Sequence, residues 1–138
     1  QATRFKVDSL RCASRTSGGV RGIRLDGAQV IGGDIVSPDA YLLTVSEKGF
    51  GKLTLLEHYS VHKRGGKGLR AHRASDKIGK IVAARLVNKD EDYLVMLAAS
   101  DNIVRIPMKQ VSVQSRNGRG VRLMVLSDDD EVVSIAAL

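Results

Sequence analysis

One basic glycine motif occurs three times in this 138-residue sequence, in its last copy as Arg116-Asn117-Gly118-Arg119-Gly120-Val121-Arg122. The earlier copies are Arg15-Thr16-Ser17-Gly18-Gly19-Val20-Arg21 and Lys63-Arg64-Gly65-Gly66-Lys67-Gly68-Leu69-Arg70. The glycine before the aliphatic residue recurs after 49 and then after 52 residues. Such a period indicates a repeat protein with one supersecondary unit per repeat. We refer to the copies as motif 1 (15–21), motif 2 (63–70) and motif 3 (116–122).

Short alternating runs predict β-strands and no substantial helix. The runs are bounded by turn signals such as Asp26-Gly27, and none keeps the i, i+3, i+4, i+7 spacing of an amphipathic helix. A single helical turn is expected within 56–60. The predicted strands are 3–7, 20–25 and 30–36 in the first unit, 41–45, 51–55, 69–73 and 80–87 in the second, and 93–97, 103–107, 119–126 and 132–138 in the third.

Four strands in a unit of about 50 residues are typical of a propeller-like blade. We therefore predict an all-β fold with about two and a half four-stranded repeats in one domain, 1–138. The predicted units are a partial blade at 1–38, a blade at 39–90 and a final blade at 91–138. The first unit lacks the strand that opens the other two, so we expect the chain to begin midway through a repeat.

The positive charge is concentrated around the motifs. The formal net charge is +7, yet 18 of the 22 lysines and arginines and only two of the 15 acidic residues fall within 4–24, 48–73 and 103–122. One basic run is usually only a solvated surface, but three runs in register favour a stripe that binds a polyanion.

Other classes of function have little support. The single cysteine, Cys12, aligns with Val61 and Val113, which predicts a small core residue and allows no internal disulfide. His58 and His62 lack the partners of a metal site, and no catalytic triad or phosphate-binding loop is evident. Aromatic residues make up 4%, too few for a single-stranded RNA platform. The single cysteine favours a cytosolic chain. No run is long enough to span a membrane.

The motifs and their flanking segments resemble the C-terminal domain of DNA gyrase A, and its relative in topoisomerase IV, over the whole chain. The flanking segments are Arg4-Phe5-Lys6-Val7, Gly22-Ile23-Arg24-Leu25 and Leu43-Thr44-Val45-Ser46-Glu47-Lys48-Gly49-Phe50-Gly51-Lys52. The segment 62–68 is similar to the family's box Gln-Arg-Arg-Gly-Gly-Lys-Gly, with His for Gln and Lys for Arg. Because that box belongs to the first blade in gyrase, we interpret 62–68 as its echo in a later blade.

The resemblance implies a β-pinwheel, a propeller-like disc whose blades exchange strands and whose basic rim bends duplex DNA. It implies that this chain is the last part of the disc and has no catalytic residue, metal or cofactor, while ATP and Mg²⁺ are used elsewhere in the holoenzyme. The implied partners are double-stranded DNA, the remaining gyrase A domains and the gyrase B subunit in a heterotetramer. The implied location is the nucleoid in the bacterial cytoplasm.

The predicted DNA contacts are cations in and around the motifs. Lysine and arginine near duplex phosphates displace condensed counterions, and glycine lets backbone N–H groups approach phosphate. No base-reading helix is evident, so sequence-nonspecific binding is expected. A topoisomerase IV domain and a propeller-type protein-interaction module remain alternatives. The predicted contacts are Arg15, Arg21, Lys52, Lys63, Arg64, Lys67, Arg70, Lys109, Arg116, Arg119 and Arg122.

Overall fold

Two antiparallel sheets form the second and third repeats in the computed structural model, which describes residues 1–88 and 90–138. The first sheet has the order β3-β1-β2-β6 and the second the order β5-β4-β7. Short 3₁₀ turns at Val7–Ser9, Leu56–His58 and Met108–Gln110 are the helical elements of these residues. The strands are β1 (Tyr41–Ser46), β2 (Phe50–Leu55), β3 (Ile81–Val87), β4 (Tyr93–Ala98), β5 (Ile103–Pro107), β6 (Val121–Arg122) and β7 (Val132–Ala137).

The hairpins β1–β2 and β4–β5 are built alike. Each turn has one residue in the left-handed region, Gly49 with φ +81° and Asp101 with φ +64°. The amide nitrogen of each donates a 3.0 Å hydrogen bond to a carbonyl three residues back, that of Ser46 or Ala98. Glycine accepts positive φ freely and aspartate tolerates it, so different residues support the same turn. The repeat in sequence is therefore also a repeat in structure.

Strand β6 is exchanged between units. By sequence it belongs to the third unit, but it pairs with β2 of the second, with Phe50 opposite Arg122 and Gly51 opposite Val121. The same exchange links the first two units, where Ala2 and Leu69 form a bridge with N···O distances of 2.8 and 2.7 Å. The strand exchange that the resemblance implied is thus present between the second and third units, and a one-residue bridge stands at the corresponding place between the first two.

The apolar core lies between the two sheets. Alternation along β1 places Leu43 and Val45 on one face, where they join Leu94, Met96 and Val132 in a single buried cluster. Strands β3 and β7, each at an edge of its sheet, pack against each other. The two units consequently share one core.

Several predicted strands are wrong. Residues 3–7, 20–25 and 30–36 form no strand, 69–73 contributes only the bridge at Leu69, and 119–126 is reduced to the two residues of β6. A strand exists only where a neighbour takes its backbone hydrogen bonds, and the first unit has no described counterpart of β1 to pair with. The predictions for β1–β5, β7 and the turn within 56–60 are confirmed. The unit boundaries stay a prediction.

Candidate nucleic-acid interface

The three motifs share a left-handed backbone at the aligned glycine. The aligned glycines Gly19, Gly68 and Gly120 have φ values of +73°, +78° and +76°. A Cβ at Gly68 would lie 2.5 Å from the Ala2 carbonyl oxygen, and one at Gly120 would lie 2.7 Å from that of Gly51. The left-handed backbone and the close approach of a neighbouring strand both require glycine at these two positions.

Consecutive motifs are in direct contact. Just beyond motif 1, the Gly22 carbonyl accepts from the Gly65 amide of motif 2 at 2.6 Å, and the Arg24 amide donates to the Gly66 carbonyl at 2.8 Å. Just beyond motif 2, the Arg73 amide donates to the Gly118 carbonyl of motif 3 at 3.2 Å. The motifs therefore form a continuous line, which we call the basic ridge (motifs 1–3 with Arg24 and Arg73).

Two equivalent arginines join the motifs. Arg64 and Arg116 stand four residues before the aligned glycines, and each is half-buried. The Nη1 of Arg64 donates to the Arg21 carbonyl at 3.2 Å, and the Nη1 of Arg116 donates to the Arg70 carbonyl at 3.2 Å. Arg21 and Arg70 are themselves equivalent, so the same bond repeats along the ridge. A guanidinium has five N–H donors, which leaves each of these arginines donors for another ligand.

The remaining cations of the three motifs are all exposed. They are Arg15, Arg21, Lys63, Lys67, Arg70, Arg119 and Arg122. Within 1–88 and 90–138, the only carboxylate in ion pairs is Asp26, which lies 2.8 Å from Arg24 Nε and 3.5 Å from Lys67 Nζ. Exposed pairs of this kind contribute little, so most of the ridge charge is uncompensated. Arg122 also lies over the Phe50 ring, 5.3 Å from its centroid.

Lys109 lies outside the three motifs. It is exposed in the last 3₁₀ turn and borders a groove with Glu91, Asp92 and Tyr93. No hydrogen bond in the described part of the chain links Lys109 to a motif. The structure therefore does not group it with the other predicted contacts.

The structure contradicts the prediction that Lys52 contacts DNA, because the Lys52 side chain is buried. The side chain is 0% exposed, and its ammonium donates to the carbonyls of Ser115 at 2.5 Å and Arg116 at 2.9 Å. Alternation along β2 turns it toward the face that the loop of motif 3 covers. Burial, with the nearby Arg116 guanidinium acting in the same direction, lowers the pKa of Lys52 to about 8. Lys52 therefore holds the loop of motif 3 from inside the protein through hydrogen bonds to its backbone.

The sequence reasoning missed His72. Its ring is 7% exposed, its Nε2 lies 2.8 Å from the Arg119 carbonyl, and its Nδ1 lies 2.9 Å from Thr44 Oγ1. A carbonyl can only accept, so Nε2 donates and the neutral ring accepts from the threonine hydroxyl at Nδ1. Burial lowers the pKa of His72, and the nearby Lys52 ammonium acts in the same direction. The repeat held a signal, because Ile23 and Met124 occupy the equivalent positions.

Other sequence predictions can also be placed. Cys12 is exposed, as are its counterparts Val61 and Val113, so the prediction of a small core residue is wrong. His58 and His62 are exposed, and His62 Nε2 lies 2.9 Å from Ser60 Oγ. The described residues contain no group of three or more metal-ligating side chains. Nor do they contain a helix with the length and apolarity needed to cross a membrane.

A family model described as the DNA gyrase C-terminal domain, beta-propeller, matches residues 2–37, 40–88 and 92–138. The chain belongs to the DNA gyrase C-terminal domain family. Among its relatives, the DNA gyrase A subunit of Ureaplasma parvum is 38% identical over 134 residues, covering 96% of this chain and 16% of the relative. That of Thermotoga maritima is 38% identical over 131 residues, covering 93% and 16%. The chain thus spans less than a fifth of these proteins.

Solved structures agree with this assignment. A DNA gyrase A C-terminal domain superposes with a TM-score of 0.81 at 28% identity, covering 96% of this chain and 45% of that one. A topoisomerase IV C-terminal domain superposes with a TM-score of 0.63 at 22% identity over 72% of this chain and 30% of that one, which shows a common fold. The predicted family and the all-β, propeller-like fold are confirmed.

Proposed function

We propose that this gyrase-family domain binds duplex DNA without sequence preference along the basic ridge, and that it thereby helps to bend or wrap DNA. The observation that carries the proposal is the direct contact between consecutive motifs, which aligns otherwise separate cations. Arg21, Arg70 and Arg119 each belong to a different motif and are all exposed. Exposed cations carried by motifs that contact one another can meet successive phosphates of a duplex.

The backbone of the ridge supports the same function. Each motif places glycines beside exposed cations, so a phosphate can approach main-chain N–H groups as well as side chains. The helical elements among the described residues are 3₁₀ turns of three residues each, too short to enter a major groove as a reading helix. Phosphate contacts fix register without reading bases, so any sequence preference should come from how easily the DNA bends.

We also propose that this chain acts as one domain of a gyrase A subunit within the gyrase holoenzyme. The named relatives are gyrase A subunits, and this chain spans less than a fifth of them. The proposed partners are accordingly the remaining gyrase A domains and the gyrase B subunit, in the bacterial cytoplasm. The ATP- and Mg²⁺-dependent steps are assigned to those other parts, and no cofactor is assigned to this chain.

The function is tested with two triple variants of equal charge. Arg21, Arg70 and Arg119 are replaced by alanine on the ridge; Lys77, Lys80 and Arg85, also exposed, are replaced in the control. Arg85 lies on β3, at the opposite edge of its sheet from β6. Duplex binding is measured by fluorescence anisotropy from low to high salt, and folding by thermal melting.

We expect the ridge variant to bind duplex at least about tenfold more weakly, with a salt slope reduced by about 0.9 for each phosphate that is no longer neutralised. The control should stay within about twofold of the wild type, because long-range attraction alone is largely screened at physiological salt. Equal losses in both variants would show that only net charge matters. A wild type that fails to bind duplex at all would instead favour the protein-interaction module.

A further inference from the structure

The first sheet, which contains β1 and β2, has a buried polar face, which is unusual for a strand pair inside a fold. Four residues of β1 and β2 that share this face are polar and at most 3% exposed: Thr44, Ser46, Lys52 and Thr54. In the third unit the equivalent positions are apolar: Met96, Ala98, Val104 and Ile106. The polar interior is therefore a property of the one sheet that motif 3 covers.

Burying an ammonium group is costly unless hydrogen bonds satisfy it, and apolar residues of similar volume that replace a buried charged group and its partners often give equal or greater stability. Lys52 is completely enclosed, whereas Val104 serves at the same place in the next unit. Stability of the sheet thus does not account for a lysine here. The arrangement of its hydrogen bonds points to another role.

Three side chains hold the loop of motif 3 from beneath. Lys52 binds the carbonyls of Ser115 and Arg116, and His72 binds the carbonyl of Arg119. Gln114 Oε1 accepts from the Gly120 amide at 3.0 Å. These bonds fix the loop at both ends and place its carbonyls against the sheet. The exposed side chain of Arg119 extends from a backbone that is tied down on its inner side.

Among the described residues, no buried lysine supports motif 2 in the same way. Thr3 occupies the position that corresponds to Lys52, and it lines a cavity of about 400 Å³ together with His62, Lys63 and Lys67. Motif 2 is held instead through the backbone of Gly65 and Gly66, so the tether by a buried lysine belongs to motif 3. The difference assigns a specific task to Lys52.

We propose that Lys52 is a positioning residue for DNA binding: it fixes the loop 115–120 so that Arg116 and Arg119 meet the duplex in a set geometry. The inference rests on the proposed function of the ridge. Lys52 is enclosed and touches no DNA itself; its effect passes through the two carbonyls that it binds.

The test compares two variants. Lys52→Met keeps the approximate length of the side chain but removes its N–H donors, and Lys77→Met removes an exposed lysine outside the ridge. We expect Lys52→Met to bind duplex about three- to tenfold more weakly while its thermal midpoint equals or exceeds that of the wild type. Lys77→Met should bind within about twofold. A Lys52→Met protein that binds as well as the wild type would overturn the proposal, as would one that loses binding only in proportion to stability.

A double-mutant cycle separates positioning from a general loss of charge. Arg119→Ala and Arg21→Ala are each combined with Lys52→Met. If Lys52 positions motif 3, the loss caused by Arg119→Ala should shrink from about tenfold to about twofold in the Lys52→Met background, whereas the loss caused by Arg21→Ala should not change. Additive losses for both arginines would contradict the proposal. If Lys52→Met does not fold, Lys52→Gln, which is uncharged and shorter and whose amide has two N–H donors, is used in the same cycle.

A second readout needs no DNA. Hydrogen exchange should accelerate at the amides of Gly118 and Gly120 in Lys52→Met, while the amides of β4 keep the wild-type rate. Unchanged exchange in the loop would count against positioning even if DNA binding were weaker. If the wild type does not bind duplex but the loop amides exchange faster in Lys52→Met, only the proposed function is rejected.

Discussion

The same cationic residue types have three different roles in this chain. Arg119 is exposed, Arg116 is half-buried and bonded to a neighbouring motif, and Lys52 is enclosed beneath the loop. What separates them is the surface that covers each side chain. A guanidinium can bridge a carbonyl and still offer donors outward, whereas an ammonium with no exposed surface serves only the interior.

Replacing the single residue Gly120 by alanine should destabilise the protein by about 2–4 kcal/mol. Its φ is +76°, and the new Cβ would meet the Gly51 backbone, which cannot yield as a flexible side chain would. Urea unfolding measures the loss. Gly66→Ala is the matched control, because Gly66 has no atom within 4 Å of the new Cβ and no positive φ; it should change stability by less than about 1 kcal/mol. Equal effects of the two substitutions would mean that neither strain nor crowding matters at Gly120.

At the scale of elements, the exchanged strand joins the second and third units into one structure. After β6 the chain turns inward, and Met124, 3% exposed, enters the core cluster that includes Leu43 and Leu94. The amides of Leu123 and Met124 both donate to the Gly49 carbonyl, at 2.8 and 3.2 Å. A unit that lends a strand and a core residue to its neighbour cannot unfold independently of it.

Met124→Ala should therefore lower the free energy of unfolding by about 2–4 kcal/mol through reduced burial and a residual cavity. Both sheets should still unfold in one transition, which calorimetry and denaturant melts can establish. Val125→Ala is the control at the next residue, since Val125 is 81% exposed and its truncation should change stability by less than about 0.5 kcal/mol. Two separate transitions in the wild type would disprove the coupling between units.

At the scale of the whole molecule, charge is segregated by the fold. The net charge is +7, and the three motifs hold nine of the 22 lysines and arginines and no acidic residue. The motifs contact one another, and within 1–88 and 90–138 Asp26 is the only carboxylate that forms ion pairs. A continuous positive line attracts a duplex whatever its sequence.

This predicts that the logarithm of duplex affinity falls linearly with the logarithm of salt, with a slope near −4 to −5 for about five phosphate contacts. Duplexes of equal length and scrambled sequence should bind within about threefold of each other. Anisotropy titrations at several salt concentrations measure both quantities. A slope near zero, or a preference above about a hundredfold for one sequence, would be incompatible with binding through phosphates alone.

The repeat could be predicted from the sequence because its signals are local. The aligned glycines, the hairpin turns and the alternating runs of β1, β2, β4 and β5 depend on residues close together in the chain, and all of these appear where the pattern indicated. The exposed cations of the motifs were also found in this way. Segments such as 30–36 show where prediction from the sequence fails. An alternating run indicates that a segment can form a strand, but not whether a second strand will lie beside it and pair with it.

The amino-acid pattern alone established the period, the strand-rich fold, the placement of glycine at left-handed positions and the concentration of positive charge in three motifs. Tertiary structure decided which unit receives β6, which cations stay exposed and why Lys52 and His72 lie inside. These outcomes depend on contacts between residues about 50 or more positions apart, as for Lys52 with Ser115 and Arg116. A lysine has the same local pattern whether water or a neighbouring loop covers it, and only packing determines which of the two it meets.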